Sequence, residues 1–495
     1  MIGLTRRGFL KLAAGGAAMA MAWPRRMAAG EPSRPATPGK PNIVFIFADD
    51  MGYGDPRCFN ADSKCPTPNI DRIAAGGMKF TDAHAPVGLC VPSRYGLITG
   101  RYPFRSDKYN LRDDDATIAT VLKSAGYRTA MVGKWHLGFR KGDRDAKVLR
   151  GGPVDRGFDY YFGIPASLDI PPYYFIENDR AVAEPSGQID EHHSPGVRSI
   201  QGAFWRGGGI APGFKHEDVL PTFRDKALAL LDEHRKNYPS MPMLLYLALP
   251  APHTPWVPAP AYKGKSKCGD YGDYVAEVDG AVGDVLDKLD SLGMAGDTLV
   301  IFTSDNGPVW YAEDVERYGH RSVGPLRGMK ADVWEGGNRM PFIARWPGHV
   351  KAGSVSDETI CFTDMMATFA EVAGANLGQA GLDSFSIAPV LTGRQQGRPL
   401  RDATVLQAGN GMFAIRRGRW KLILGTGSGG FSPKAKTGPN APKGQLYDLS
   451  ADQGERKNLY DDEPKTVAEL TALLESIRKS ARTASRGQAL PASGS

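Results

Sequence analysis

Residues 42–50 read NIVFIFADD: an unbroken apolar run from Ile43 to Ala48, closed by two adjacent acids. Absence of alternation marks a strand buried on both faces, as in a parallel sheet covered by helices. Four further runs share this texture: YRTAMVG (127–133), MLLYLAL (243–249), TLVIFTS (298–304) and FIARW (342–346). Between them lie helical patterns over 116–125, 223–234 and 271–292. The last carries Val275, Val278, Val282, Val285, Leu286 and Leu289 at steps of one to four residues, which reads as core packing. Strands alternating with helices predict an α/β fold, a large mainly parallel sheet flanked by helices on both faces. Beyond about residue 385 the texture changes. FAIRRGRWKLIL (413–424) and QLYDLSADQGERKNL (445–459) read as antiparallel strands and turns, and 464–480 as a helix. We therefore expect a main domain over 41–384, a smaller C-terminal α+β subdomain over 385–481, and a disordered tail over 482–495.

The strand ends carry the chemistry. The first run ends in Asp49-Asp50, the second runs into Lys134-Trp135-His136, the third reaches His253, and the fourth ends in Asp305-Asn306. Ligands of open α/β sheets sit beyond the carboxyl ends of the strands. Four strands thus deliver carboxylates, a carboxamide, an amine and two imidazoles to one edge. Each piece has an ordinary structural explanation: Asp pairs cap helices, Asp-Asn-Gly makes turns, and histidines satisfy buried polar groups. Together they fit an oxygen-rich site for a hard divalent cation, flanked by cations suited to a tetrahedral anion. No His-rich or Cys-rich spacing points to zinc.

Residues 1–30 read as a cleaved export signal, because Thr5-Arg6-Arg7-Gly8-Phe9-Leu10-Lys11 resembles the twin-arginine motif and the apolar run to Trp23 is too short to span a bilayer. Residues 31–40 form a Pro-rich linker. The expected location is the periplasm or outside the cell, reached through the twin-arginine translocase, with no membrane anchor in the mature form. Arg6, Arg7, Lys11, Arg25 and Arg26 supply five of the net charge of +7, and residues 1–30 hold no acid. The remainder sits near +2, which gives no case for nucleic-acid binding. The cysteines are Cys58, Cys65, Cys90, Cys268 and Cys361. In an oxidising compartment the four besides Cys90 could make two disulfides, Cys58 and Cys65 closing one short loop, although spacing does not set connectivity.

At Cys90-Val91-Pro92-Ser93-Arg94, followed by Thr99-Gly100-Arg101, the chain resembles the type I, formylglycine-dependent sulfatases of the alkaline-phosphatase-like superfamily, among them arylsulfatases and N-acetylgalactosamine-6-sulfatases. The resemblance extends over roughly 41–460 through PNIVFIFADDMGYGD, GKWHLG, PHTPW, TSDNG, RGMKADVWEGGNRMPFIARWPG and LYDLSADQGERKNL. It implies a sulfuric ester hydrolase in which a maturation enzyme oxidises Cys90 to formylglycine (3-oxoalanine). The aldehyde hydrate offers one hydroxyl to sulfur and a second whose deprotonation expels sulfate. By the same resemblance Asp49, Asp50, Asp305 and Asn306, with residue 90, hold a calcium or magnesium ion. Arg94 orients the hydrate, and Lys134 and Lys330 bind sulfate. His253 protonates the leaving alcohol, and His136 takes the proton that releases sulfate.

Two alternatives remain open at this level. One is a phosphonate or phosphate ester hydrolase of the same superfamily; the usual phosphatases there use Ser or Thr with two zinc ions and want His where this chain has Asn306. The other is a catalytically silent sulfatase-like binding protein. For substrate, Trp310, Tyr311, His320, Arg321 and Arg327 follow the fourth strand, and 167–217 is a Pro- and aromatic-rich insertion with Tyr173, Tyr174, His192, His193 and Trp205. Aromatic and charged loop residues suit a sulfated sugar, so the expected substrate is a carbohydrate sulfate ester, small or oligosaccharidic, attacked in an exo manner.

Overall fold

In the computed structural model the described residues are 39–109, 111–140, 148–433 and 441–484. The export signal, most of the 31–40 linker and most of the 482–495 tail lie outside them. The apolar runs form the middle of an eleven-stranded sheet. Strand β1 (Asn42–Asp49) lies between β4 (Met243–Pro252) and β5 (Thr298–Ser304), with β2 (Arg128–Lys134) beyond β4 and β3 (Tyr160–Ile164) beyond β2, and all these contacts are parallel. The FIARW run belongs to β6 (Arg339–Arg345), which pairs antiparallel to β5.

Besides four strands of only two or three residues, two longer strands of this sheet escape the hydrophobic pattern. Met78–His84 pairs with β6 but carries Lys79, Asp82 and His84, and β3 is a five-residue YYFGI. Helix α1 (Cys90–Thr99), α2 (Val219–Asn237) and α3 (Gly269–Ser291) pack around the sheet, α3 through Val275, Val278, Val282, Val285, Leu286 and Leu289, all buried. The predicted 116–125 helix is present as Ile118–Ser124.

A second sheet is antiparallel: β7 (Thr404–Gln407), β8 (Phe413–Arg417), β9 (Trp420–Ile423) and β10 (Gln445–Asp448). Helix α4 (Pro464–Lys479) covers it through Leu470 and Leu474. The chain passes from one core to the other between Leu391 and Thr404, since Ile387, Val390 and Leu391 still pack in the large core. A buried ionic network joins the layers. Lys421 bridges Glu335 and Glu455 at 2.8 Å each, Arg339 bonds Glu335 and meets Asp82 at 3.0 Å, and Arg416 meets Asp82 at 2.6 Å.

Burial alone would raise the pKa of Asp82 and Glu335, but the flanking Arg339, Arg416 and Lys421 hold both below their ordinary values of 3.8 and 4.5. A depressed folded-state pKa contributes stability that is complete above the ordinary value and lost as pH falls through the folded one. Tm followed from pH 6 to 3 is therefore expected to fall below about 4.5, and more shallowly in Glu335→Gln. An equal slope in the variant would count against the network.

None of the five cysteines is bridged in this structure. Cys58 does not close a loop with Cys65: the Cys58 backbone is held by Asp71 (2.8 Å), and Cys65 lies instead beside Cys268.

Candidate active site

The carboxyl ends of β1, β2, β4 and β5 meet at one edge, and the bonds there tie one strand end to the next. Lys134 Nζ donates to Asp49 Oδ2 (2.5 Å), Asp50 N to Asp305 Oδ1 (3.1 Å), and Asn306 Nδ2 to Asp50 Oδ1 (2.6 Å). Near the end of β4, the register against β1 shifts by a bulge that sets Asp49 opposite Pro252; bulges re-aim side chains. The next residue, His253, thus reaches Asp50, with Nε2 3.7 Å from Oδ2, while Nδ1 lies 2.6 Å from the Thr254 carbonyl. Parallel strands approach closely here: a Cβ on Gly133 (φ 123°) would sit 1.8 Å from the Ala248 carbonyl oxygen. Asp50 (φ 63°) and His136 (φ 59°) hold left-handed backbone, which costs on the order of 1 kcal/mol for a non-glycine residue and clusters at functional sites.

Cys90 opens α1 and is buried against these strand ends, its Sγ 3.5 Å from Asp49 Oδ1 and 3.9 Å from Asp50 Oδ1. One turn on, the buried Arg94 donates through Nε (3.1 Å) and Nη2 (2.9 Å) to Asp305 Oδ2 and through Nη1 to the Lys134 carbonyl (3.2 Å). Lys330 Nζ, from the segment after the 312–318 helix, donates to Asp50 Oδ2 (2.8 Å). That segment is clamped on both sides. Ala331 N donates to the Gly88 carbonyl (2.6 Å), Gly409 N to the Ala331 carbonyl (2.7 Å) and Val333 N to the Ser428 carbonyl (2.8 Å).

Charge sets the protonation states. Burial would raise the Asp49 pKa, but Lys134, His253, Arg94 and Lys330 outweigh it and hold it well below 3.8. Asp305 goes the other way, to about 6, through burial and then the Asp49 charge. Burial, then Asp305, drives the Cys90 thiol well above 9, so an unmodified Cys90 is a neutral thiol and a poor nucleophile. Burial, then Lys134 and Arg94, holds His136 well below 6.5, a neutral imidazole able to accept a proton.

The donor set fits a hard cation. Asp49, Asp50 and Asp305 supply carboxylates, and the buried Asn306 Oδ1 has no hydrogen-bond partner among the described residues, the mark of an acceptor awaiting something else. Arg94, Lys134 and Lys330 balance the three carboxylates. A divalent ion would leave the edge positive, ready for an anion.

Most of the residues predicted for substrate make packing or hydrogen-bonding contacts of their own. Trp310 is buried on Tyr271 (centroids 4.8 Å) and donates to the His320 carbonyl (2.9 Å); His320 is buried on Asp55 (2.8 Å). Tyr311 lies under Arg198, 4.3 Å from its ring centroid. Arg327 donates to the Glu455 carbonyl (2.7 Å) and covers the Trp334 ring at 3.6 Å. Arg321 is exposed. An acid the sequence reading passed over does lie near: Asp169, buried with Oδ1 unpartnered and 4.0 Å from His253 Nδ1, its other oxygen paired with Arg206. It follows β3, so recognising YYFGI as a further parallel strand would have placed it at this edge.

The family description "Sulfatase" matches residues 41–375, and "N-sulphoglucosamine sulphohydrolase, C-terminal" matches 329–481. An N-acetylgalactosamine-6-O-sulfatase of Bacteroides thetaiotaomicron is 35% identical, over 89% of this chain and 93% of its own. Arylsulfatase A of Homo sapiens is 34% identical, over 88% and 87%. A solved structure from work on the metabolism of multiple glycosaminoglycans by Bacteroides thetaiotaomicron superposes with a TM-score of 0.77 at 33% identity, covering 89% of this chain and all of that one.

Proposed function

We propose a reaction for this chain from one premise: it belongs to the sulfatase family and is a sulfuric ester hydrolase. The substrate is a sulfate ester on a carbohydrate, taken from the chain end. The observation that carries this is the meeting of Cys90, three carboxylates, Asn306 and three cations at one sheet edge, beside His253. The sugar is favoured by the 35% identical N-acetylgalactosamine-6-O-sulfatase, which matches over nearly the whole chain.

Cys90, converted by a maturation enzyme to formylglycine, supplies a hydrated aldehyde with one hydroxyl to take the sulfuryl group and one to expel it. A calcium or magnesium ion held by Asp49, Asp50, Asp305 and Asn306 would supply Lewis-acid polarisation of a sulfate oxygen. The chain's own groups do the rest. Arg94 fixes Asp305 and turns its charge toward residue 90. Lys134 and Lys330 bind sulfate oxygens and oppose the charge that develops in transfer. His253 gives a proton to the departing alcohol at Nε2, and neutral His136 takes one from the residue 90 hydroxyl. Export through the twin-arginine translocase, to the periplasm or beyond, is supported by the Thr5–Lys11 motif. No helix of the described residues is long and apolar enough to cross a membrane.

A panel of sulfated mono- and oligosaccharides assayed for sulfate release tests the substrate class; activity confined to aryl sulfates would sink it. His253→Ala is expected to lose about 10²- to 10⁴-fold in kcat on a sugar sulfate, whose alkoxide needs the proton. On 4-nitrophenyl sulfate, whose leaving group departs as a stable anion, the loss should be several times smaller. Equal losses on both would remove His253 from the acid role.

A further inference from the structure

A second cluster of reactive side chains lies away from the sheet edge. Cys65, in the loop before the Pro68–Ala75 helix, and Cys268, at the N-cap of α3, are both buried, and their sulfurs lie within 4.8 Å of each other. The two backbones run side by side, since Lys267 N donates to the Lys64 carbonyl (3.2 Å), one residue before each cysteine. Local turns hold both cysteines in place: Cys65 N bonds Ser63 Oγ (3.2 Å) and Cys268 N bonds Ser266 Oγ (3.1 Å). Bridging two cysteines requires adjacent backbones and facing side chains, and this pair has both.

The third member, His320, argues against a metal centre. Its Nε2 lies 2.8 Å from Asp55 Oδ1, its Nδ1 accepts from Lys64 N (3.4 Å), and Cys65 Sγ is farther from Nε2, at 3.8 Å. Asp55 is engaged as well, accepting from Gly52 N (2.6 Å) and Tyr271 OH (2.5 Å) on Oδ2. A metal would have to break the Asp55–His320 pair, whereas joining the sulfurs gives up at most the long Cys65 Sγ–His320 contact and leaves that pair intact.

We propose that Cys65 and Cys268 form a disulfide in the mature protein, covalently tying the loop after the Asp49–Asp55 turn to the start of α3. Each thiol gives up one hydrogen. The two electrons and two protons pass to an acceptor disulfide such as oxidised glutathione, which leaves as two thiols after a mixed-disulfide step. Burial keeps the folded pair out of rapid exchange, so the bond forms while the chain folds in an oxidising medium or by slow opening afterwards. The bond fixes the surroundings of the first metal-holding turn, because Tyr271 at the start of α3 bonds Asp55 and lies 3.4 Å from the Asp50 carbonyl. None of this depends on Cys90 or on sulfatase activity.

The test uses the full chain, folded with oxidised and reduced glutathione, alkylated in denaturant without reductant, digested and analysed by mass spectrometry. Expected is one joined peptide pair containing Cys65 and Cys268, lighter than the separate peptides by two hydrogens, with Cys58 and Cys361 alkylated. Separately alkylated Cys65 and Cys268 peptides overturn the proposal. So does stoichiometric zinc by elemental analysis, with these two thiols protected until a chelator is added. Excess phosphine reductant is expected to lower the wild-type Tm by several degrees and to leave Cys65→Ala/Cys268→Ala unmoved. A wild-type Tm indifferent to reductant overturns it even if the variants fail to fold.

Discussion

Cys90→Ala loses about 10⁴-fold or more in kcat on any sulfate ester, the size expected when a covalent nucleophile is removed from a site that otherwise still binds. Sulfate release under saturating substrate measures it, with binding of a substrate analogue as the control for an intact site. Cys90→Ser separates the two hydroxyl roles. It keeps an oxygen able to take the sulfuryl group but lacks the second hydroxyl, so it should give at most one turnover per molecule and then stall. Steady turnover by Cys90→Ser would refute the requirement for a converted residue. Mass analysis of the residue 90 peptide supplies the companion evidence. Unmodified thiol in fully active protein would refute it equally, because turnover would then not depend on a converted residue.

Arg94→Met is the second large effect, on stability as well as rate. Arg94 is fully buried, with two donors on Asp305 and one on the Lys134 carbonyl. Removing one partner of a buried ion pair costs about 3–5 kcal/mol, because the other charge stays behind without compensation. Here Asp305, whose pKa burial and then the Asp49 charge already raise to about 6, would be left facing Asp49 without its counter-charge. Urea unfolding of the metal-free protein is expected to show this loss. Calcium should recover part of it, since the ion would neutralise the same carboxylates. Arg94→Lys keeps the charge but not the fork and falls between. A Met variant within about 1 kcal/mol of wild type would show that the pair is not what holds the edge.

The strands that carry the site were legible because they are buried on both faces. Nothing in Ile43–Ala48, Met243–Leu249 or Leu299–Phe302 needs to face water, so hydrophobicity alone marks them. Chain direction then places their following residues together. Met78–His84 was hidden because its neighbour is an ionic layer. Asp82 and His84 are buried on Arg339 and Arg416, and a polar core has no hydrophobic signature. The loop after β5 was harder for a related reason. Aromatic side chains serve packing and recognition alike, and only contacts with Tyr271 and Trp256 tell that Trp310 is doing the first. Cys65 and Cys268 are more than two hundred residues apart in the chain, a proximity no local pattern encodes.

The clamp on the Lys330 segment bears on how such a protein can be cut or recombined. Ala331 is hydrogen-bonded to Gly88 beside Cys90 on one side and to Gly409 on the other, and Val333 to Ser428. The lysine proposed to bind sulfate is thus moored by chain that arrives some eighty to a hundred residues later. Stopping translation at Leu391 would deliver every proposed catalytic residue and yet leave Lys330 on a loosened strap. The later segment is no detachable accessory, and a chimera that exchanges it for a relative's has to preserve those backbone moorings to keep the enzyme working.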